Sequence, residues 1–248
     1  VAASITMYIL CFRSKELSLR IDTGRFLPTW GVVKRALHIS LPMGLQQTIM
    51  CSAYVMTTII IAPLGTFAIA ANSFGIIIES LCYMPGYGIA DAATTLVGQS
   101  MGAGRHELMK RFAWLSVGLG VTVMAVMGVV MYVGAPTAMA MMTPAEEVRR
   151  LGVEVLRIEA FAEPMFAAAI VSYGVFVGAA KTLVPSIMNL VSIWGVRISL
   201  AAMLAPSMGL RGVWIAMCIE LCFRGLIFLV KLKFWNIQTS CKHYGKDQ

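Results

Sequence analysis

Hydrophobic residues follow one another along this chain in long runs that short polar connections separate. A helix that crosses the hydrocarbon core of a bilayer needs about 20 apolar residues. The pattern therefore predicts an all-α integral membrane protein built as a bundle of six transmembrane helices. The predicted spans cover residues 39–62, 67–97, 112–133, 161–178, 184–204 and 212–232.

The second predicted span is the longest and carries an acid among isoleucines and leucines, Glu79, followed by Pro85 and Gly86. A charge inside a span is costly and marks a functional candidate, whereas a broken helix at membrane depth faces protein or a water-filled cavity. We therefore expect Glu79 on a transport path and a hinge or kink at Pro85 and Gly86. The alternative is an acid that only fixes helix packing by a hydrogen bond. The other candidates for the substrate or cation path are Asn72, Tyr83, Met84, Gln46 and Gln47.

Composition supports a membrane protein, because 58% of the residues are hydrophobic, 13% are charged and the mean hydropathy is +0.79. Globular proteins carry roughly 25% charged residues. The net charge of +8 comes from basic residues that lie between the spans and not on one clustered face, so no nucleic-acid partner is expected. Their distribution predicts a multi-pass protein of the cell membrane, with the lipid bilayer as its partner and both ends of this sequence cytoplasmic.

The same pattern divides the chain into four parts. Residues 1–12 are apolar but too short to span, and we interpret them as the tail of a truncated preceding transmembrane helix. Residues 13–38 are expected to form a cytoplasmic basic linker with an amphipathic surface helix. The lobe of six transmembrane helices follows at 39–235, and residues 236–248 form a cytoplasmic tail.

The fourth span is expected to begin outside the membrane. Thr143 and Pro144 suit the N-cap and the first position of a helix whose early turns are charged. We expect Glu159 and Glu163 to be solvated at the interface, and Pro164 to kink the helix where it enters lipid.

The last two spans carry charges at matching depth. Arg197 and Glu220 each lie within an apolar run, and the short connection makes the two helices antiparallel neighbours. We predict a structural ion pair between Arg197 and Glu220, with Arg224 as the alternative partner of Glu220.

Catalytic and metal chemistry are not expected. The six cysteines show no metal-ligand spacing, and the three histidines lie at loops or span edges. We therefore expect neither an enzyme nor a bound cofactor or metal.

Several stretches together resemble the second half of a multidrug and toxic compound extrusion (MATE) transporter. They cover most of residues 36–232 in order: Leu41-Pro42, Ala70-Ala-Asn72, Ile78-Glu79-Ser-Leu-Cys-Tyr-Met-Pro85-Gly, Ala92-Ala-Thr-Thr-Leu-Val-Gly98-Gln99, Gly102-Ala-Gly104, Gly178-Ala-Ala-Lys-Thr-Leu-Val-Pro185, Val196-Arg197-Ile, Gly209-Leu-Arg-Gly-Val-Trp214, and Glu220 with Arg224.

The resemblance implies one lobe of a twelve-helix, two-lobe antiporter that exports lipophilic or cationic small molecules by alternating access. It implies transported H⁺ or Na⁺ as the coupling ion and an N-terminal lobe of the same protein as partner. The NorM-type branch has sodium-binding acids where Met50 and Phe166 stand here, so the DinF-type branch is the closer likeness. A lipid-linked precursor flippase of the wider superfamily and a non-transport membrane scaffold remain alternatives. A flippase would be expected to line its cavity with several basic residues, of which only Arg197 and Arg224 lie at depth.

Overall fold

The computed structural model describes Thr6 and residues 30–234, apart from the side chains of eight residues between 32 and 46. The predictions for residues 1–12 and 236–248, and for most of the linker at 13–38, lie outside the described residues. The described part is helical and contains no strand. Its helices are α1 (Trp30–Ile61), α2 (Thr66–Gly102), α3 (His106–Met142), α4 (Glu146–Ala160), α5 (Glu163–Gly178), α6 (Leu183–Met208) and α7 (Leu210–Lys233).

Five of these helices contain segments long and apolar enough to cross a membrane, and α4 and α5 together make a sixth if the bent pair counts as one span. The bend between α4 and α5 is 58°. It falls at Phe161 and Ala162, and Pro164 lies in the first turn of α5, where a proline needs no N–H partner. The architecture is therefore an all-α membrane bundle of five spans and one bent pair.

Two prolines lie inside helices of the described part. Pro85 is within α2 and Pro136 is within α3, and both helices continue for 37 residues. Neighbouring helices can stabilise a proline-containing membrane helix, and Gly86 is buried against Met124 of α3. The α2 helix therefore continues through Pro85 and Gly86, and the hinge or kink expected there stays a prediction.

Two other predicted boundaries also shift. Helix α1 begins at Trp30, within the linker predicted at 13–38, and the amphipathic surface helix expected there stays a prediction. The N-cap of α4 is Ala145 and not Thr143, whose Oγ1 instead accepts a hydrogen bond of 3.3 Å from the Ala145 N–H. Local capping signals place a helix start only to within a residue or two.

The core of residues 42–234 is centred on α2 and α5. Helix α2 packs against α3, α4 and α5, while α5 also packs against α3 and α7. Close approach of α2 and α5 depends on small residues, because a Cβ added to Gly174 or Gly178 would overlap the α2 backbone at Ala90 and Thr94. The hydroxyl of Thr94 donates a hydrogen bond of 2.9 Å to the carbonyl of Gly174 across the same contact.

Helix α6 is not regular. Its middle, Ser192–Ile198, is a π-helical segment between two α-helical parts. A π segment inserts extra residues into the helical repeat and occurs often at functional sites. A single residue, Gly209, then connects α6 to α7 with a φ of 61°, a conformation in which glycine has no Cβ to strain.

Candidate functional site

A cavity of about 140 Å³ lies among five helices of the bundle. Helix α1 contributes residues 50–58, and α2 contributes one face between Asn72 and Tyr87. Helix α5 contributes Phe166, while α6 and α7 supply the rest of the wall, including both arginines at depth. The cavity residues on the last two helices are Ile193, Arg197, Val213, Trp214, Met217, Leu221 and Arg224.

Aromatic side chains form much of this wall. The rings of Tyr83 and Tyr87 meet edge to face with centroids 5.5 Å apart, and Tyr83 meets Phe166 in the same manner at 5.7 Å. The guanidinium of Arg224 lies over the Phe166 ring, 5.4 Å from its centroid. Such surfaces accept flat apolar molecules and bind cations through the ring faces.

Glu79 is the acid of the cavity. Its side chain is buried and lines the wall, near enough to Arg197 and Arg224 to interact with both electrostatically. The periodicity of α2 explains its position, because Asn72, Ile76, Glu79, Tyr83 and Tyr87 recur every three or four residues on one face.

The predicted ion pair between Arg197 and Glu220 is wrong, and the alternative partner is the one found. Arg224 Nε lies 3.1 Å from Glu220 Oε1. Ser192 also donates a hydrogen bond of 2.7 Å to that oxygen. The pair forms within α7 because the two residues are one turn apart on the same face.

Arg197 takes a different position. Its Nη2 donates to Met217 Sδ, its Nε is buried without a hydrogen-bond partner, and no carboxylate oxygen of the described residues lies within 4.0 Å. Arg197 belongs to the π-helical segment of α6, so the altered repeat helps to set which face it occupies. Its guanidinium is thus available to the cavity.

The other predicted site residues divide into two groups. Asn72 and Tyr83 lie in the wall, whereas Met84 is 59% exposed and is not a cavity residue. Gln47 is also exposed, with its amide 3.9 Å from Cys51 Sγ, and the side chain of Gln46 is outside the described part. Residues Pro85, Gly86 and Pro164 do not contribute to the wall.

Sequence reasoning did not place several cavity residues. Trp214 occurs in a stretch that carries the family resemblance, but the resemblance predicted no role for its side chain. In the structure its Nε1 donates a hydrogen bond of 3.1 Å to Asn72 Oδ1. Thr57 and Thr58 line the cavity while each bonds a carbonyl one turn earlier in α1. The polar side chains that recur on one face of α1 between residues 50 and 58 were the sequence signal that could have placed these residues in the cavity wall.

The prediction that Glu159 and Glu163 are solvated is wrong. Each is only 1% exposed. Both Glu163 carboxylate oxygens and Oε2 of Glu159 are buried without a hydrogen-bond partner among the described residues. Hydropathy alone could not show this, because the bend between α4 and α5 turns these acids into the bundle. No three His, Cys, Asp or Glu side chains in the described part are grouped to hold a metal ion.

The fold and cavity define an integral membrane helix bundle with an internal cavity. Residues 42–203 match the sequence model of the MatE family. The chain belongs to that family, whose members are transporters.

Relatives and solved structures agree with this assignment. The chain is 27% identical over 235 residues to the probable multidrug resistance protein NorM of Thermotoga maritima, an alignment of 93% of this chain and 49% of that protein. The fold matches the MATE transporter VcmN of Vibrio cholerae in its bent form, with a TM-score of 0.83 and 16% identity over 94% of this chain and 52% of that one. It also matches a MOP superfamily transporter from Pyrococcus furiosus, with a TM-score of 0.82 and 17% identity over 93% of this chain and 53% of that one. That transporter is described as having a binding pocket of reverse polarity that suggests a different function.

The chain spans about half the length of the curated relatives it matches. The curated relative named above carries the NorM name, so the DinF-type assignment stays a prediction.

Proposed function

We propose that this chain forms the second lobe of a cation-coupled multidrug efflux antiporter that works by alternating access. In this proposal the first lobe of the same protein supplies the opposite wall of the transport cleft. Lipophilic or cationic small molecules are the substrates, H⁺ or Na⁺ is the coupling ion, and both ends of this chain lie on the cytoplasmic side of the cell membrane. Family membership and the half-length match to NorM proteins support this arrangement.

The observation that carries the proposal is the position of Glu79. A buried acid lies in the wall of an aromatic cavity, within electrostatic reach of two arginines. Protonation or cation binding at Glu79 would change the net charge of that wall, and a lipophilic cation would favour the ionised acid. Competition between the coupling ion and the drug for one carboxylate is a direct physical basis for exchange.

The cavity favours an antiporter over a lipid-linked precursor flippase. A pyrophosphate group is best held by several guanidinium or ammonium groups. Two arginines line the cavity, and the charge of Arg224 is already matched by Glu220 at 3.1 Å. Arg197 then remains as a single basic group for a pyrophosphate.

The test replaces Glu79 with glutamine in the whole protein, expressed in a host without its own efflux pumps. Asp91→Asn is the matched control, because Asp91 is an exposed acid on the same helix. Glu79→Gln is expected to abolish most of the resistance to ethidium and similar cations, at an unchanged amount in the membrane, whereas Asp91→Asn leaves resistance as it was. Two results would assign Glu79 a packing role: resistance that survives Glu79→Gln, or resistance that falls only in proportion to the amount of the variant protein in the membrane.

A further inference from the structure

The bend between α4 and α5 brings two acids into the bundle. Glu159 lies in the last turn of α4 and Glu163 in the first turn of α5, on either side of the 58° break. Both are 1% exposed. Helix α3 closes over this point, because a Cβ added to Gly128 would lie 3.3 Å from Glu163 Cβ and closer still to the carbonyl of Ala160. The bend is thus tightly enclosed.

Neither acid has the partners that an ionised buried carboxylate needs. Both oxygens of Glu163 and one oxygen of Glu159 have no hydrogen-bond partner among the described residues. An ionised carboxylate without hydrogen bonds or a counter-ion is very costly in a low-dielectric interior. A bound proton removes that cost.

The charges around the pair do not supply a sufficient counter-ion. Helix α2 presents Glu79, Cys82 and Tyr83 to the two acids. Helix α7 presents Cys218, Glu220 and Cys222, and Arg197 of α6 acts on Glu159. On α3, the ring of Tyr132 faces Phe161 and the exposed Arg157, which is on α4.

A charge balance follows from these neighbours. Glu220 is matched by Arg224. Three further buried acids remain, Glu79, Glu159 and Glu163, and among the described residues Arg197 acts on the first two but not on Glu163. Burying two unmatched negative charges at membrane depth is unfavourable enough that the group must bind positive charge.

We propose that Glu159 and Glu163 form a proton-binding pair at the α4–α5 bend, separate from the cavity acid Glu79. The N-terminus of α5 stabilises an anion in its first turn, whereas the C-terminus of α4 opposes one in its last turn. Neither oxygen of Glu163 accepts a hydrogen bond at that N-terminus, and Glu159 shares Arg197 with Glu79. Both members of the pair therefore carry a proton. Proton binding is a property of the resting protein, so it stands or falls independently of drug transport.

The first test is infrared difference spectroscopy of the whole protein in lipid nanodiscs as the pH is raised. A protonated carboxyl group in an apolar site gives a carbonyl band that an ionised carboxylate lacks. The double variant Glu159→Gln/Glu163→Gln is expected to lose one such band. The control variant Glu147→Gln, which changes an exposed acid of α4, is expected to keep it. An unchanged band in the double variant overturns the proposal. A band that disappears on addition of NaCl at constant pH also overturns it, because sodium would then be the ligand.

The second test needs no substitution and covers the case in which the double variant does not fold. Dicyclohexylcarbodiimide takes the proton of a protonated carboxyl group onto nitrogen and bonds the carboxylate oxygen to its central carbon; rearrangement leaves a stable N-acylurea. Mass spectrometry of the unmodified protein is expected to find this adduct at Glu159 or Glu163 and none at Glu147, with labelling lost in alkaline buffer. No adduct at either residue, together with no band assigned to the pair, contradicts the inference.

Discussion

The indole Nε1 of Trp214 on α7 donates a hydrogen bond of 3.1 Å to Oδ1 of Asn72 on α2. Both residues line the cavity, and Trp214 is only 1% exposed. A Cβ added to Gly75, one turn from Asn72, would lie 2.9 Å from the Trp214 ring, so the indole is held between the hydrogen bond and the α2 backbone. The polar residue that the sequence placed on a transport path is thus also a link between two helices.

Replacing Trp214 with phenylalanine should remove this link. Phenylalanine has no N–H donor, so Asn72 Oδ1 loses its hydrogen bond, and the smaller ring leaves a gap. We expect a loss of about 1–3 kcal/mol in unfolding free energy. Denaturant unfolding in detergent measures it. The matched control is Trp114→Phe, because Trp114 is exposed on α3; an equal loss in both variants would contradict the role of the hydrogen bond.

The ion pair between Glu220 and Arg224 gives a second prediction. Removing one partner of a buried pair leaves an uncompensated charge and costs about 3–5 kcal/mol. Glu220→Gln should therefore destabilise the protein strongly, while Glu220→Leu/Arg224→Met should recover part of the loss. Thermal unfolding of the two variants measures the difference.

The control for this pair is Arg149 with Glu146, an ion pair at 3.2 Å in which the glutamate is 83% exposed. An exposed pair contributes about 0–1 kcal/mol, so Glu146→Gln should change stability little. A double variant no more stable than Glu220→Gln would show that the buried pair is not a coupled unit.

The contact between α2 and α5 gives a third prediction. Gly174→Ala and Gly178→Ala place a methyl group against the α2 backbone, and overpacking of this kind costs about 1–3 kcal/mol. Gly88→Ala is the control, because nothing lies within 4 Å of the added Cβ and alanine is the better helix former. We expect lower melting temperatures for the first two variants and an equal or higher one for the third. Melting temperatures that do not separate the variants would show that the helices are free to move apart.

The half-length match gives a fourth prediction, which concerns transport. Because the chain spans about half of its curated relatives, residues 1–248 expressed alone supply one wall of the proposed cleft. We expect the chain to reach the membrane of an efflux-deficient host, measured by an epitope tag, without conferring resistance to ethidium. Resistance from the chain alone would contradict the two-lobe proposal and indicate a transporter assembled from copies of this lobe.

The sequence by itself determined the class of protein and the approximate positions of its spans. A membrane span is a local property, because some 20 consecutive apolar residues are enough to specify it. The last two predicted spans, 184–204 and 212–232, therefore fall within α6 and α7. The face of α2 that carries Glu79 and Tyr83 was also accessible from helical spacing.

Only the tertiary structure decided which polar residues meet. Tyr83 and Met84 are adjacent in sequence, yet one lines the cavity and the other is exposed, because successive helical residues point about 100° apart. Depth alone paired Glu220 with Arg197 on the neighbouring helix, whereas the fold pairs it with Arg224 on its own. The burial of Glu159 and Glu163 arises from a bend and from the closeness of α3, and neither is encoded in the hydropathy of the residues around them.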